Sequence, residues 1–465
     1  MEDGSVKALQ KVKITLADCL ACSGCVTTAE SVLVEAQSVA ELIRVLQRTE
    51  SKPKLVVVSI SPQTLASLAA TCFLSMTQVY FRLNTLFRRY FGVHYVFDIV
   101  HAREVALVES AVEFVQRFRV SEKGPVLASA CPGWICYAEK NSGSQDVLQH
   151  ISTVKSPQQV MGALVKRKLS ELHPGVTPSD IYHIAMMPCF DKKLEASRTD
   201  FYSDAYRSHD VDLVLTSMEV PGLLAEAGLS DFSQSLEETP IEPGLFNSLD
   251  RDAETGELKV CGVSGPSGSF AEFIFKHASK ELFEENVAVP IELKTLARPK
   301  GVKEVRLERE GKTLLAFATA YGFSNIANVV KQTKQGTSKY HYIEVMACPS
   351  GCVNGGGQLR LDSMPSSSPA THMEVDQDSS TPIQEEVVTR REKPTTAREL
   401  LAAVERVFAS DQIVHLDPFN NPIIQNLYAN LGCEPGDEKA RSMFHTTYHA
   451  MAMVEAKKNP LTIQW

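Results

Sequence analysis

From Lys54 to about Leu361 the chain alternates short apolar runs with amphipathic stretches. Leu55–Ile60, Val93–Phe97, Val126–Ser129, Ile181–Met187, Val211–Thr216 and Tyr342–Met346 have the length and composition of buried strands. Ala102–Phe118, Pro157–Leu169 and Phe270–Leu282 between them carry apolar residues at helical spacing. Such alternation predicts an α/β fold with parallel sheets flanked by helices on both faces. Val302–Glu310 and Lys312–Thr319, parted by Gly311, read instead as a hairpin at a sheet edge.

Three further regions flank this domain of residues 51–361. Residues 1–50 hold a cysteine motif followed by a helical pattern over Val32–Leu46. Residues 362–396 are rich in Ser, Pro, Thr and Glu and poor in apolar side chains, the composition of a disordered linker. Residues 397–465 are a C-terminal helical segment, with a helix near Ala397–Phe408, helical stretches to about Ala456 and an exposed tail.

Composition narrows the function. The chain of 465 residues is 44% hydrophobic and 22% charged, with a formal net charge of −9. These are the values of a globular protein, and the acidic balance speaks against a nucleic-acid partner. No apolar run is long enough to cross a membrane. The N-terminus lacks the charged and apolar regions of a secretory signal. The 11 cysteines therefore read as metal ligands or buried thiols in a reducing compartment, the cytoplasm or nucleus.

Three predicted strands run into a cysteine: Val126-Leu-Ala-Ser-Ala-Cys131-Pro-Gly-Trp134, Ile181 through Met187-Pro-Cys189, and Tyr342-Ile-Glu-Val-Met-Ala-Cys348. Ligands of open α/β sheets bind beyond the carboxyl ends of the strands, so these thiols meet if the strands are neighbours. Cys352 follows Cys348 by four positions and precedes Gly355-Gly-Gly357, where the backbone can approach closely and aim N–H groups at inorganic sulfide. Four thiolates also suit zinc. Structural zinc sites, however, usually pair short cysteine knuckles, whereas these ligands come from distant strands. Lys192 offers either a charge that offsets the thiolates or a surface member of a Lys-Lys pair.

The three cysteine segments resemble the signature motifs of iron-only hydrogenases. Ala128-Ser-Ala-Cys131-Pro-Gly-Trp134, Met187-Pro-Cys189-Phe-Asp-Lys192-Lys-Leu-Glu195 and Glu344 through Gln358 carry the likeness, with Lys155-Ser-Pro-Gln-Gln159 and a fainter echo at Phe444-His-Thr-Thr-Tyr448. The resemblance implies a two-lobed hydrogenase-like domain in which Cys131, Cys189, Cys348 and Cys352 ligate a 4Fe–4S cluster. One position departs. The hydrogenase motif has a proton-carrying cysteine where this chain has Ala130, whose methyl group cannot relay a proton.

The likeness is fuller to the eukaryotic iron-only hydrogenase-like proteins, through Asp18–Cys25, Ala128–Lys140, Pro188–Ala196 and Ala320–Ile326. One branch, NARF-like, belongs to cytosolic iron–sulfur protein assembly; its sibling is a nuclear prelamin A recognition factor. The resemblance implies a non-enzymatic scaffold or adaptor that delivers 4Fe–4S clusters to apoprotein clients with a cytosolic targeting complex of WD-repeat and associated subunits. The alternatives are an active hydrogenase, which Ala130 disfavours, and a binder of the prelamin A tail.

Cys19, Cys22 and Cys25 have ferredoxin-type spacing, but the fourth position is Ala29 and no cysteine precedes Cys19. Either the sequence begins late or another ligand, Asp18 or water, completes this ferredoxin-like site. Two 4Fe–4S clusters are thus expected, the N-terminal one short of a cysteine. The terminal Trp465 joins an apolar face to a carboxylate and resembles an aromatic-ended docking tail. Cys72, Cys136, Cys261 and Cys433 read as buried or free thiols, Gly262–Gly268 as an ordinary loop, and His445 and His449 as surface or packing residues of one helix.

Overall fold

The computed structural model describes residues 28–363 and 394–450, apart from 121–123, 129, 142–144, 234, 242–243, 245, 253, 263–264, 266, 268, 289, 411 and 415–416. Cys19, Cys22, Cys25, Trp465 and residues 364–393 of the expected linker lie outside the described residues.

Two sheets carry the fold. The strands are β1 (Leu55–Ile60), β2 (Tyr95–Asp98), β3 (Val126–Leu127), β4 (Ile181–Met187), β5 (Leu213–Thr216), β6 (Lys294–Thr295), β7 (Val302–Arg309), β8 (Lys312–Tyr321) and β9 (Tyr342–Met346). The first sheet has the order β2-β1-β4-β5 and is parallel throughout. The second has the order β6-β7-β8-β9-β3 and is mixed: β7 and β8 form the expected hairpin, while β8, β9 and β3 run parallel.

Side-chain alternation along the strands assigns the layers. Leu55 and Val57 of β1 face one core, and Val56, Val58 and Ile60 face another. In the second sheet Leu315 and Phe317 join the first of these cores, whereas Ala316, Ala318 and Ala320 join a third. The first core belongs to both sheets. It is filled by α2 (Val100–Arg119), α4 (Pro157–Leu172) and α6 (Phe270–Phe283), a helical layer sandwiched between them. Outer helices close the far faces: α1 (Pro62–Cys72) and α8 (Ala397–Ser410) on the first sheet, α3 (Pro132–Asn141) and α7 (Phe323–Lys334) on the second. The short α5 (Asp191–Ala196) follows Cys189.

Several local expectations change. The pattern over Val32–Leu46 is two helices, Thr28–Ala36 and Val39–Leu46, because the Ser38 hydroxyl accepts the Glu41 N–H and caps the second. The C-terminal segment packs into the main cores: Leu400 and Val404 of α8 lie on the first sheet, and Ile424, Leu427 and Tyr428 of α9 (Pro422–Leu431) lie on α2. His445 is not helical. The last helix among the described residues, α10 (Glu438–Phe444), stops before it, and the chain bridges to Val154, with Lys155 N–H donating to the Phe444 carbonyl.

Candidate metal centre

Cys131, Cys189, Cys348 and Cys352 come from both sheets. Cys348 follows β9 and Cys131 lies beyond the neighbouring β3, so these two share a sheet edge, and the Ala347 N–H points at Cys131 Sγ at 3.4 Å. Cys189 follows β4 of the other sheet and reaches the same place across the crevice. The glycine-rich segment makes the crossing. Gly357 N–H donates to the Pro188 carbonyl at 2.9 Å, and a Cβ on Gly357 would sit 2.8 Å from Thr216 Cβ and 3.2 Å from Cys189 Cα. Only glycine allows that approach. This Gly357 amide therefore ties two turns together, where the sequence suggested amides aimed at sulfide. Gln358 completes the anchor, accepting from the Ser217 hydroxyl at 2.6 Å and donating to the Gln63 carbonyl at 2.9 Å.

The four thiols sense one another. Burial pushes the Cys189 thiol well up, with Asp191, Cys348 and Cys131 adding to it. Cys352 is pushed up to about 12, first by burial and then by Cys131. Cys131 is raised by burial although the N–H groups of Ala347 and Trp134 oppose the shift. Lys192 lowers all three. Metal ligation at these positions must expel protons, since the ligand is the thiolate.

Lys192 is a buried residue, 8% exposed, and not a surface lysine. Its ammonium donates to Glu195 at 2.9 Å and to the Ala130 carbonyl at 3.2 Å. Glu195 in turn accepts from Ser156 and Gln158 of the Lys155–Gln159 segment. Glu195 was not assigned a role from sequence, although its place three residues after Lys192 on a helix carries the signal for a pair. Ala130 itself lines a cavity of about 10 Å³ with Ser110, Ser152 and Lys155, about the smallest volume that admits one water.

These residues fit an iron–sulfur cluster. The donor set is four thiols with backbone N–H groups aimed at sulfur, and the Trp134 Nε1, wholly buried, has no hydrogen-bond partner among the described residues. Among the described residues no three His, Cys, Asp or Glu side chains converge on a point as the ligands of one ion would. Three of the other described cysteines stand apart from this site, Cys72 in α1, Cys261 in a small sheet and Cys433 beyond α9, whereas Cys136 on α3 lines a small cavity with Ser156 and Glu195. His445 bridges Thr153 at 2.8 Å and Glu109 at 3.0 Å, a packing role. The exposed His449 lies near Asp200.

Comparisons with known proteins agree with this geometry. Residues 54–356 match the iron only hydrogenase large subunit, C-terminal domain, and residues 399–451 match the iron hydrogenase small subunit. An apo [FeFe]-hydrogenase of Chlamydomonas reinhardtii superposes with a TM-score of 0.67 over 89% of this chain and 98% of that one; at 24% identity it shows the fold. Cytosolic iron-sulfur assembly component 3 of Bos taurus is 44% identical over 473 residues, covering 100% of this chain and 89% of its own. Protein NAR1 of Arabidopsis thaliana is 42% identical over 460 residues, 95% of this chain and 87% of its own. By its motifs, its fold and these full-length similarities, the chain belongs to the iron-only hydrogenase-like family, in the group of the cytosolic iron–sulfur assembly component 3 and NAR1 proteins.

Proposed function

We propose that this protein is an iron–sulfur scaffold or adaptor of cytosolic iron–sulfur protein assembly, and not an enzyme. The observation that carries the reading is the meeting of Cys131, Cys189, Cys348 and Cys352 from two sheets beside Ala130, where a hydrogenase needs a proton carrier. These cysteines hold a resident 4Fe–4S cluster; when bound, it cross-links the lobes and adds a redox centre. The chain's own residues do the rest. The thiols give up protons on ligation, the Ala347 N–H steadies the Cys131 sulfur, and Lys192, held by Glu195, sets the local charge.

The cargo cluster is carried at Cys19, Cys22 and Cys25, and handed to apoprotein clients with the cytosolic targeting complex of WD-repeat and associated subunits. Trp465 is the docking residue. The protein acts in the cytoplasm and also in the nucleus.

The test is a pair of assays on anaerobically reconstituted full-length protein. Labelled iron should pass to an apoprotein acceptor, and no sustained hydrogen evolution should accompany strong reduction. Sustained hydrogen evolution contradicts the scaffold reading. Capture of a prenylated lamin tail in place of the targeting complex points to the sibling function.

A further inference from the structure

Ser267, in a stretch unremarkable in sequence, lies against the Cys352 turn. Ser267 is 7% exposed, and its Oγ accepts the Cys352 backbone N–H at 3.3 Å. Gly351, at φ +77°, leaves no space between the turn and this serine: a Cβ there would lie 1.8 Å from Ser267 Oγ. The hydroxyl proton has two acceptors within reach, the Cys352 sulfur and the Tyr321 phenol oxygen. Tyr321 uses its own proton on Glu344 Oε1 at 2.8 Å, and Glu344 Oε2 accepts the Ala271 N–H at 2.9 Å. The phenol oxygen is therefore free to accept. A serine has a single proton to give, so the two acceptors compete for it. A thiolate is the stronger acceptor, because charge roughly doubles a hydrogen bond.

We propose that Ser267 is a positioning residue of the metal centre: it holds the Cys352 turn through the backbone N–H and donates its hydroxyl to the ligating sulfur, in competition with the Tyr321 phenol oxygen. The inference rests on the reading that Cys352 is a ligand of the resident cluster. Hydrogen bonds to the sulfurs of an iron–sulfur centre favour its more negative, reduced state and so raise its potential. They also fasten the ligand against exchange. The Ser267–Cys352 contact thus keeps the resident cluster in place and sets its potential.

The experiment uses the full chain with Cys19→Ser, Cys22→Ser and Cys25→Ser, so that any iron–sulfur signal belongs to the resident site. This parent and its Ser267→Ala, Ser267→Thr and Tyr321→Phe derivatives are reconstituted anaerobically. Each is titrated with dithionite under EPR and challenged with an iron chelator. Ser267→Ala should be about tenfold harder to reduce, a midpoint about 59 mV lower for one electron, and should release iron about tenfold faster. Ser267→Thr keeps the hydroxyl and should restore both values. Tyr321→Phe removes the competing acceptor, so its midpoint should be no lower than the parent's. If Ser267→Ala loads iron and matches the parent in midpoint and release, the inference is overturned. If Ser267→Ala does not load, a lowered midpoint in Tyr321→Phe overturns it. A parent that binds no iron–sulfur centre overturns the ligand assignment itself.

Discussion

The N–H of Gly357 donates to the carbonyl of Pro188 at 2.9 Å, pinning the turn that carries Cys348 and Cys352 to the turn that carries Cys189. This hydrogen bond joins turns that follow strands of different sheets. The site's geometry depends on that join as much as on the thiols, because ligands from separate lobes must be held at a fixed distance before metal arrives.

Gly357→Ala should therefore break the site without unfolding the chain. The added methyl meets Thr216 at 2.8 Å and the Cys189 backbone at 3.2 Å, and overpacking of this kind costs about 1–3 kcal/mol. Thermal melts should show a folded protein of lowered stability, and iron analysis should show the resident centre depleted. Wild-type iron content in this variant contradicts the account of the crossing.

Cys348→Ala removes a ligand that the resident site needs from the second sheet. Iron and sulfide at that site should fall to background, and the stabilisation that loading gives in a thermal melt should vanish. Cys19→Ala, by contrast, should leave the resident signal in place. Equal iron content and melting behaviour in Cys348→Ala and wild type contradict the ligand set.

Lys192 and Glu195 are both buried, so the loss of one partner strands the other's charge. Lys192→Met alone should cost about 3–5 kcal/mol, while the double change Lys192→Met with Glu195→Gln should cost less. Denaturant midpoints of the four proteins in the cycle measure the coupling. Strict additivity contradicts the pairing.

His183 predicts how acid weakens the fold. Its Nε2 faces the Ser59 hydroxyl at 2.9 Å and its Nδ1 faces the Asp210 carbonyl at 3.1 Å, which fixes the proton on Nδ1. Burial lowers its pKa from 6.5 to about 3, with Lys166 adding to the shift and Asp210 opposing it. Between those values the unfolded chain binds more protons than the folded one, so stability falls as pH drops below about 6.5. At about pH 5 the loss from this group is about 2 kcal/mol. His183→Gln should lose correspondingly less than wild type between about pH 7 and about pH 5, measured on the metal-free chain.

The sequence made the cysteines legible because each sits in a compact local motif with Pro or Gly beside it and a buried strand before it. The strands β1, β4 and β9 were readable to the residue because both faces are covered, giving mainly apolar runs interrupted by Ser59, His183 and Glu344. What stayed hidden depends on contacts remote in sequence. Ser267 lies 85 residues from Cys352, and nothing near it in the chain announces the contact. Lys192 stood open between a surface lysine and a charge beside the thiolates because its burial is decided by Glu195, Ser156 and Gln158 together. His445 was drawn into a helix by its spacing from His449, yet the local pattern could not show that the chain would bridge to Val154. The shared helical layer was equally invisible, since α2 reads as one amphipathic helix whichever sheets it serves.

The central claim is that Cys131, Cys189, Cys348 and Cys352 hold an iron–sulfur cluster that stays with the protein. The most direct measurement is anaerobic iron, zinc and acid-labile sulfide analysis with EPR on the full chain lacking the thiols of Cys19, Cys22 and Cys25. The account predicts about four irons and about four sulfides per chain, with an EPR signal on reduction. Zinc in place of iron, or iron without sulfide, contradicts it.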